Sequence, residues 1–229
     1  MLTGKKAVIF DMDGTLVDSM WIWPEVDRIY MGKYGLTQPD TFHKDIEGMS
    51  YTETAQYFVD TFRTLNRTRE QVMQEWREMT TDLYATRVFP KRGALDFLKA
   101  MKARGVLLGI ATSNDRSIAD AALNARDLAG YFDSVRTSCE VSAGKPAPDV
   151  YLKVAEDLRV DPRECLVFED VPKGILAGKN AGMEVCAVDD EFSRPWDSEK
   201  RRLADYFIRD YYDIRDNTYE RCAHRTDET

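Results

Sequence analysis

Four apolar runs stand at wide intervals along the chain: KAVIF at 6–10, VLLGIATS at 106–113, ECLVFED at 164–170 and EVCAVDD at 184–190. Valine, isoleucine and leucine follow one another in them without a polar residue at every second place. Strands covered on both faces read this way, and such strands are usually parallel. DSVRTSCEV at 133–141 is a weaker fifth run, and DYFIRDY at 205–211 reads as an edge strand. Between the runs the period becomes that of a helix. GALDFLKAMKARG (93–105) sets Leu95, Leu98 and Met101 on one face and stops at Gly105, a natural C-terminal cap. DRSIADAALNARDLAGYF (115–132), APDVYLKVAEDLRV (147–160) and VPKGILAGKNAGM (171–183) follow. The last two carry a proline near the start, where its missing N–H costs nothing. Strand and helix in alternation predict an α/β fold, a Rossmann-like doubly wound parallel sheet.

Met20 to Arg87 breaks that rhythm. TETAQYFVDTFRTL (52–65) and REQVMQEWREMTTDLYA (69–85) are helical, and no strand run falls between them. The expectation is an all-helical cap domain over 18–87, inserted into a core of 1–17 and 88–229, with hinges near 16–20 and 86–90.

Composition narrows the function without naming it. The 229 residues are 43% hydrophobic and 31% charged, with a formal net charge of -8 and no basic run, so no nucleic-acid partner is expected. None of Cys139, Cys165, Cys186 and Cys222 forms a CxxC pair, which argues against a zinc site or a disulfide framework. Cys165 and Cys186 read as buried small hydrophobes. The start MLTGKKAVIF is neither a signal peptide nor a membrane span. A cytoplasmic protein, a monomer or weak homodimer with no membrane partner, is the expectation.

The chemistry gathers where the apolar runs end. The first runs into Asp11 and Asp13, the second into Thr112, Ser113 and Asn114, and the run at 164–170 into Glu169 and Asp170. In open α/β sheets ligands bind beyond the carboxyl ends of the strands. If these strands are neighbours, four carboxylates converge on one crevice and repel one another. A hard divalent cation such as Mg²⁺ relieves that repulsion and suits all-oxygen ligands. Alternation along extended chain points Asp11 and Asp13 the same way, one placed to be a nucleophile and the other an acid/base. Gly14 permits a tight turn that brings backbone amides near an anion. A bare DxD also fits a metal-only site or a solvated strand end. Thr112, Lys145, Glu169 and Asp170 at the ends of the right elements are what strengthen the catalytic reading.

DMDGT (11–15) after an apolar strand, Thr112 after LLGIA, Lys145 in GKPAPDVY and FEDVPKGILAGKNAGM (168–183) together resemble the haloacid dehalogenase (HAD) superfamily across essentially the whole chain. The resemblance implies a phosphatase in which Asp11 forms an aspartyl-phosphate and Asp13 protonates the leaving group, then activates water. Thr112 would hold phosphoryl oxygens and Lys145 would balance their charge, with Gly14, Ser113 and Asn114 beside the phosphate. Mg²⁺ would sit among Asp11, the Asp13 main-chain carbonyl and Asp170, with Glu169 as a ligand or a supporting partner. The substrate would be a small phosphorylated metabolite. Asp13 argues against a dehalogenase, and the lack of spans against a P-type ATPase.

The helical insertion is similar to that of the β-phosphoglucomutase and phosphoglycolate phosphatase group. Mutases there carry a histidine after the first motif and a G-x-S-R near the hinge. Here SMWIWPE has no histidine, and EGMSYTE has Tyr51 where the arginine would stand. A phosphatase is therefore favoured, with a hexose phosphate mutase using Lys44 or Arg77, an inorganic pyrophosphatase and a non-catalytic binding module as alternatives. Trp21, Trp23 and Tyr51 either line the pocket or pack the cap. His43 reads as surface or structural, and His224 as exposed. Ser113 and Asn114 are expected to cap the next helix, and Asp18 the first cap helix. DSEKRRLAD (197–205) reads as a solvated helix face, and the tail from Asp216 as disordered.

Overall fold

The computed structural model describes residues 1–222. In chain order the elements are β1 (Ala7–Phe10), β2 (Val17–Asp18), α1 (Ile22–Tyr34), α2 (Phe42–Ile46), α3 (Tyr51–Thr61), α4 (Arg69–Arg87), β3 (Phe89–Pro90), α5 (Ala94–Ala103), β4 (Leu107–Thr112) and α6 (Arg116–Ala125). They continue as β5 (Ser134–Thr137), α7 (Asp149–Leu158), β6 (Cys165–Glu169), α8 (Pro172–Asn180), β7 (Glu184–Val188), α9 (Asp197–Leu203), β8 (Tyr206–Ile208), α10 (Tyr212–Arg215) and β9 (Glu220–Arg221). Seven strands form one sheet in the order β5-β4-β1-β6-β7-β8-β9. Every pairing in it is parallel except β8 with β9.

The unbroken apolar runs explain the layers. Val8 and Phe10 of β1 join the cluster that holds Leu98 of α5 and Ile118 of α6. Ala7 and Ile9 face the other way, with Val154 of α7 and Ile175 of α8. Both faces of the central strands are dry, so alternation is not needed.

Between β1 and β4 lie helices α1 to α4. Capping boxes fix two of them, Ser50 with Glu53 on α3 and Thr68 with Gln71 on α4. Their core is aromatic, with Tyr30, Phe58 and Trp76 in mutual edge-to-face contact at 4.9 to 6.0 Å. The chain leaves the sheet side at β2 and returns at β3, and these two pair antiparallel, Val17 with Pro90 and Asp18 with Phe89.

Several local expectations are corrected. The run 206–208 is not the edge: β9 covers it, and the chain is ordered through Cys222 rather than disordered from Asp216. His224 lies outside the described residues. The helix expected over 115–132 ends at Ala125, because Asp127 takes a left-handed φ of 54°, and a short 3₁₀ turn follows at Ala129–Tyr131. Asp115, not Ser113 or Asn114, caps α6 by accepting from the Ser117 amide at 2.9 Å. Asp18 caps nothing: α1 begins after Trp21 with no side-chain cap. On α9, Lys200 is fully buried and donates to the Val188 carbonyl and the Ser193 hydroxyl, so that helix is not solvated throughout.

Candidate active site

The order of strands reverses at β1, with β4 on one side and β6 on the other. A crevice opens beyond the carboxyl ends of strands at such a point. Here it is a cavity of about 200 Å³, roofed by the helical insertion and floored by Asp11, Asp13, Thr112, Asn114, Lys145 and Asp170.

β1 ends at Phe10, and the Asp11 amide still donates to the Phe168 carbonyl of β6 at 2.9 Å. Asp11 and Asp13 both reach the cavity, while Met12 between them is fully buried in the core. Gly14 then turns the chain at a φ of 76°. A Cβ there would run into the Asp170 carboxylate, so glycine is needed twice, for the conformation and for the close approach. The Gly14 amide is taken by the Val17 carbonyl at 2.9 Å, and Gly14 does not line the cavity. Its contribution is the turn and the room for Asp170, not an amide offered to an anion.

Lys145 is buried and bridges two acids, donating to Asp11 Oδ1 at 2.6 Å and to Glu169 Oε1 at 2.5 Å. Glu169 is saturated. Oε1 also accepts from the Tyr151 hydroxyl at 2.8 Å, and Oε2 from the amides of Asp170 and Val171 at 2.9 and 3.3 Å. So Glu169 fixes Lys145, and Lys145 fixes Asp11. Burial drives the Asp11 carboxyl upward, and Glu169 and Asp13 add to it, with the Lys145 ammonium opposing. Lys145 itself is held cationic: burial disfavours its charge, but its two carboxylates outweigh that.

Asp13 is held by other residues. Oδ1 accepts from Ser19 Oγ at 2.6 Å and the Tyr84 hydroxyl at 2.5 Å, and Oδ2 accepts from Asn114 Nδ2 at 3.0 Å. Burial raises its carboxyl above the ordinary range, and those three bonds pull the other way. Asn114 is itself locked, its Nδ2 also reaching Tyr84 at 3.1 Å. Thr112 Oγ1 accepts from the Asn114 amide at 3.0 Å, which leaves its own proton to offer to the cavity it lines. Ser113 lines the cavity too, and its carbonyl accepts the Tyr51 amide of α3 at 2.8 Å.

Carboxylate oxygens of Asp11, Glu169 and Asp170 lie within 4.8 Å of one another. Asp170 Oδ1 accepts from Thr15 at 3.1 Å, but Oδ2 is buried with no hydrogen-bond partner. Burial, with Glu169 and Asp11 nearby, raises the Asp170 carboxyl far above its ordinary range. An orphaned buried carboxylate oxygen facing other acids is what a hard cation satisfies, so these residues fit Mg²⁺. The Asp13 carboxylate is outside this group.

Of the aromatic candidates, Trp23 and Tyr51 line the cavity. Trp21 does not: it lies on the surface with the Arg87 guanidinium 4.8 Å over its ring. His43 is exposed at the cavity's rim and bonded to Gln38. Neither Lys44 nor Arg77 is in the lining. Sequence reasoning missed Ser19, Tyr84 and Tyr151, which hold the acids, and Asp27, which lines the cavity from α1. Tyr151 stood in the GKPAPDVY segment; the other three carry no local signal.

The sequence profile of the haloacid dehalogenase-like hydrolases matches residues 8–188. A phosphorylated carbohydrates phosphatase of Thermotoga maritima is 32% identical over 182 residues, 78% of this chain and 82% of that protein. The fructose-1-phosphate phosphatase YqaB of Escherichia coli is 31% identical over 182 residues, 80% of this chain and 94% of its own. The crystal structure of CbbY from Rhodobacter sphaeroides in complex with phosphate shares the fold, with a TM-score of 0.78 at 19% identity over 92% of this chain and 96% of that one. Among the described residues, no helix is long and apolar enough to cross a membrane.

Proposed function

The chain belongs to the haloacid dehalogenase-like hydrolases, and from that premise we propose that it is a Mg²⁺-dependent phosphatase that hydrolyses a small phosphorylated metabolite through an aspartyl-phosphate on Asp11. The observation that carries this reading is the division of labour between the two aspartates. Asp11 is bound through Oδ1 to a buried ammonium, and no described residue donates to its Oδ2. Asp13 is held by three donors that leave one lone pair of Oδ2 for a proton.

In the first step an Asp11 oxygen bonds to phosphorus as the bond to the leaving oxygen breaks, and Asp13 gives that oxygen its proton. In the second, water attacks the acyl phosphate, the phosphorus–Asp11 bond breaks and Asp13 takes up a proton from the water. General acid/base help of this kind is worth about 10²- to 10⁴-fold. Thr112 donates to a phosphoryl oxygen, and Lys145 offsets the charge on Asp11 and the phosphoryl group throughout. Asp11, Asp170 and the Asp13 main-chain carbonyl would hold Mg²⁺, which supplies charge stabilisation to the phosphoryl oxygens when bound. Glu169, saturated by Lys145, Tyr151 and two amides, serves best as the support of Lys145. Residues 18–87 act as a cap on a core of 1–17 and 88–229. The cap excludes water from the attack, and through Ser19 and Tyr84 it also sets Asp13.

Against a bisphosphate-dependent mutase, and against pyrophosphate as substrate, stands the lining of the cavity. Lys145 is committed to two acids, and apart from it only His43 among the lining residues can carry positive charge. A second phosphate would find carboxylates there.

The test is phosphate release from a panel of phosphomonoesters with Mg²⁺, with pyrophosphate and β-glucose 1-phosphate included and glucose 6-phosphate monitored. The wild type is expected to release phosphate from esters of one chemical class and Asp11→Asn to release none. Turnover retained in that variant overturns the aspartyl-phosphate route, and glucose 6-phosphate formed without free phosphate overturns the choice of a phosphatase.

A further inference from the structure

The cavity has a second half, set in the insertion away from the strand ends. Asp27 lies there on α1, one helical turn beyond Trp23 and on the same side of the helix. It is 8% exposed, and among the described residues nothing donates to its carboxylate or pairs with it. Burial alone pushes its carboxyl up to about 7. A carboxylate so placed is costly unless a donor meets it. No neighbouring side chain donates one: even the Trp76 indole N–H, buried in the same lining, has no partner. The Tyr51 hydroxyl is spent on the Met73 carbonyl at 3.0 Å, and the Thr54 hydroxyl on the Ser50 carbonyl at 3.0 Å. The walls are aromatic, with the rings of Trp23 and Tyr51 at 6.1 Å and those of Tyr51 and Trp76 at 5.6 Å. Another acid, Glu47, faces the same space.

Aromatic faces beside a carboxylate, with no fixed cation, complement a positive charge. A neutral polyol would call for a balanced set of donors and acceptors, whereas the lining sets two acids, Asp27 unpaired and Glu47 held at one oxygen by the Lys173 amide at 3.3 Å, against the single buried unpartnered indole N–H of Trp76. We infer that this half of the cavity binds the alcohol portion of a phosphomonoester bearing an ammonium group, the ammonium lying against Asp27 and the rings of Trp23 and Tyr51. Asp27 is then the residue that sets substrate class, an assignment that rests on the phosphatase reading of the other half of the site.

Two esters of matched shape separate charge from size: 2-aminoethyl phosphate and propyl phosphate. With Mg²⁺ the wild type is expected to favour the first by about tenfold in kcat/KM, the range of a partly desolvated cation–π and charge contact. Asp27→Asn, which keeps the shape while removing the charge, is expected to bring that ratio to near one. Equal kcat/KM in the wild type, or a preference that survives Asp27→Asn, overturns the inference. Binding decides the matter apart from turnover. Calorimetric titration of Asp11→Asn should give tighter binding of the ammonium ester than of the neutral one, and the difference should vanish when Asp27→Asn is added. Equal affinities overturn the inference even if the wild type hydrolyses both esters. Unequal affinities with no hydrolysis of any ester uphold it and count against the phosphatase instead.

Discussion

Gly174 has no polar atom to offer beyond its backbone, yet it limits the whole Asp11–Lys145–Glu169 chain. A Cβ at 174 would overlap the Glu169 carboxylate, the group that fixes Lys145. Gly174→Ala is expected to destabilise the fold by about 1–3 kcal/mol, the usual cost of overpacking a filled site. It should also lower kcat, because Lys145 shifts with Glu169. Thermal unfolding and steady-state kinetics on the same preparation check both, and a variant equal to wild type in each would deny Glu169 its positioning role. Asp11, Asp13, Thr112, Lys145, Glu169 and Asp170 were legible in the sequence because each closes an apolar run or stands in a dense local motif. Ser19, Tyr84 and Asp27 were not. Tyr84 meets Asp13 across 71 residues of chain, and that meeting depends on where α4 comes to rest. Asp27 looks like any helix-surface acid until the fold sets it in one cavity with Trp23, Tyr51 and Trp76.

The strands were the readable elements, since residues buried on both faces leave uninterrupted apolar runs, whereas helix ends turn on single dihedrals such as that of Asp127. The place of β8 inside the sheet could not be read, because β9, its two-residue partner, has no apolar signature. Depth in the sheet has a chemical consequence. Cys165 on β6 and Cys186 on β7 are buried, and burial pushes the Cys165 thiol up to about 11 and that of Cys186 well above its ordinary value. Cys222 is partly covered and also raised to about 11, again chiefly by burial, while Cys139 is exposed in the turn after β5. A raised thiol pKa leaves little thiolate to react. Iodoacetamide at pH 8 is therefore expected to modify Cys139 first, Cys222 slowly, and Cys165 and Cys186 only after denaturation. Peptide mass spectrometry along the time course checks the order; early labelling of Cys165 or Cys186 would mean that the sheet opens.

At the scale of the whole molecule, one apolar cluster runs from Val8 and Phe10 in the sheet through Leu16, Val17 and Val88 to Tyr30, Phe58 and Trp76 in the insertion. The two parts share a core at their junction, so they are expected to unfold together. Three of the four tryptophans, Trp21, Trp23 and Trp76, report on the insertion and Trp196 on the core, whereas circular dichroism reports on the entire chain. Tryptophan fluorescence and far-UV ellipticity should give one thermal midpoint; separate midpoints would show an insertion that melts alone. The β2–β3 ribbon has a wider meaning. It brings the way into the insertion and the way out to neighbouring strands, spaced about 4.8 Å apart. Segments whose ends lie together can be exchanged or resized without rerouting the host chain. If Asp27 selects the substrate as proposed, that half of the site is a cassette plugged into one socket. Remodelling the cassette can alter what is bound while Asp11, Asp13, Thr112 and Asp170, rooted at the strand ends, keep their places, so long as Ser19 and Tyr84 go on holding Asp13.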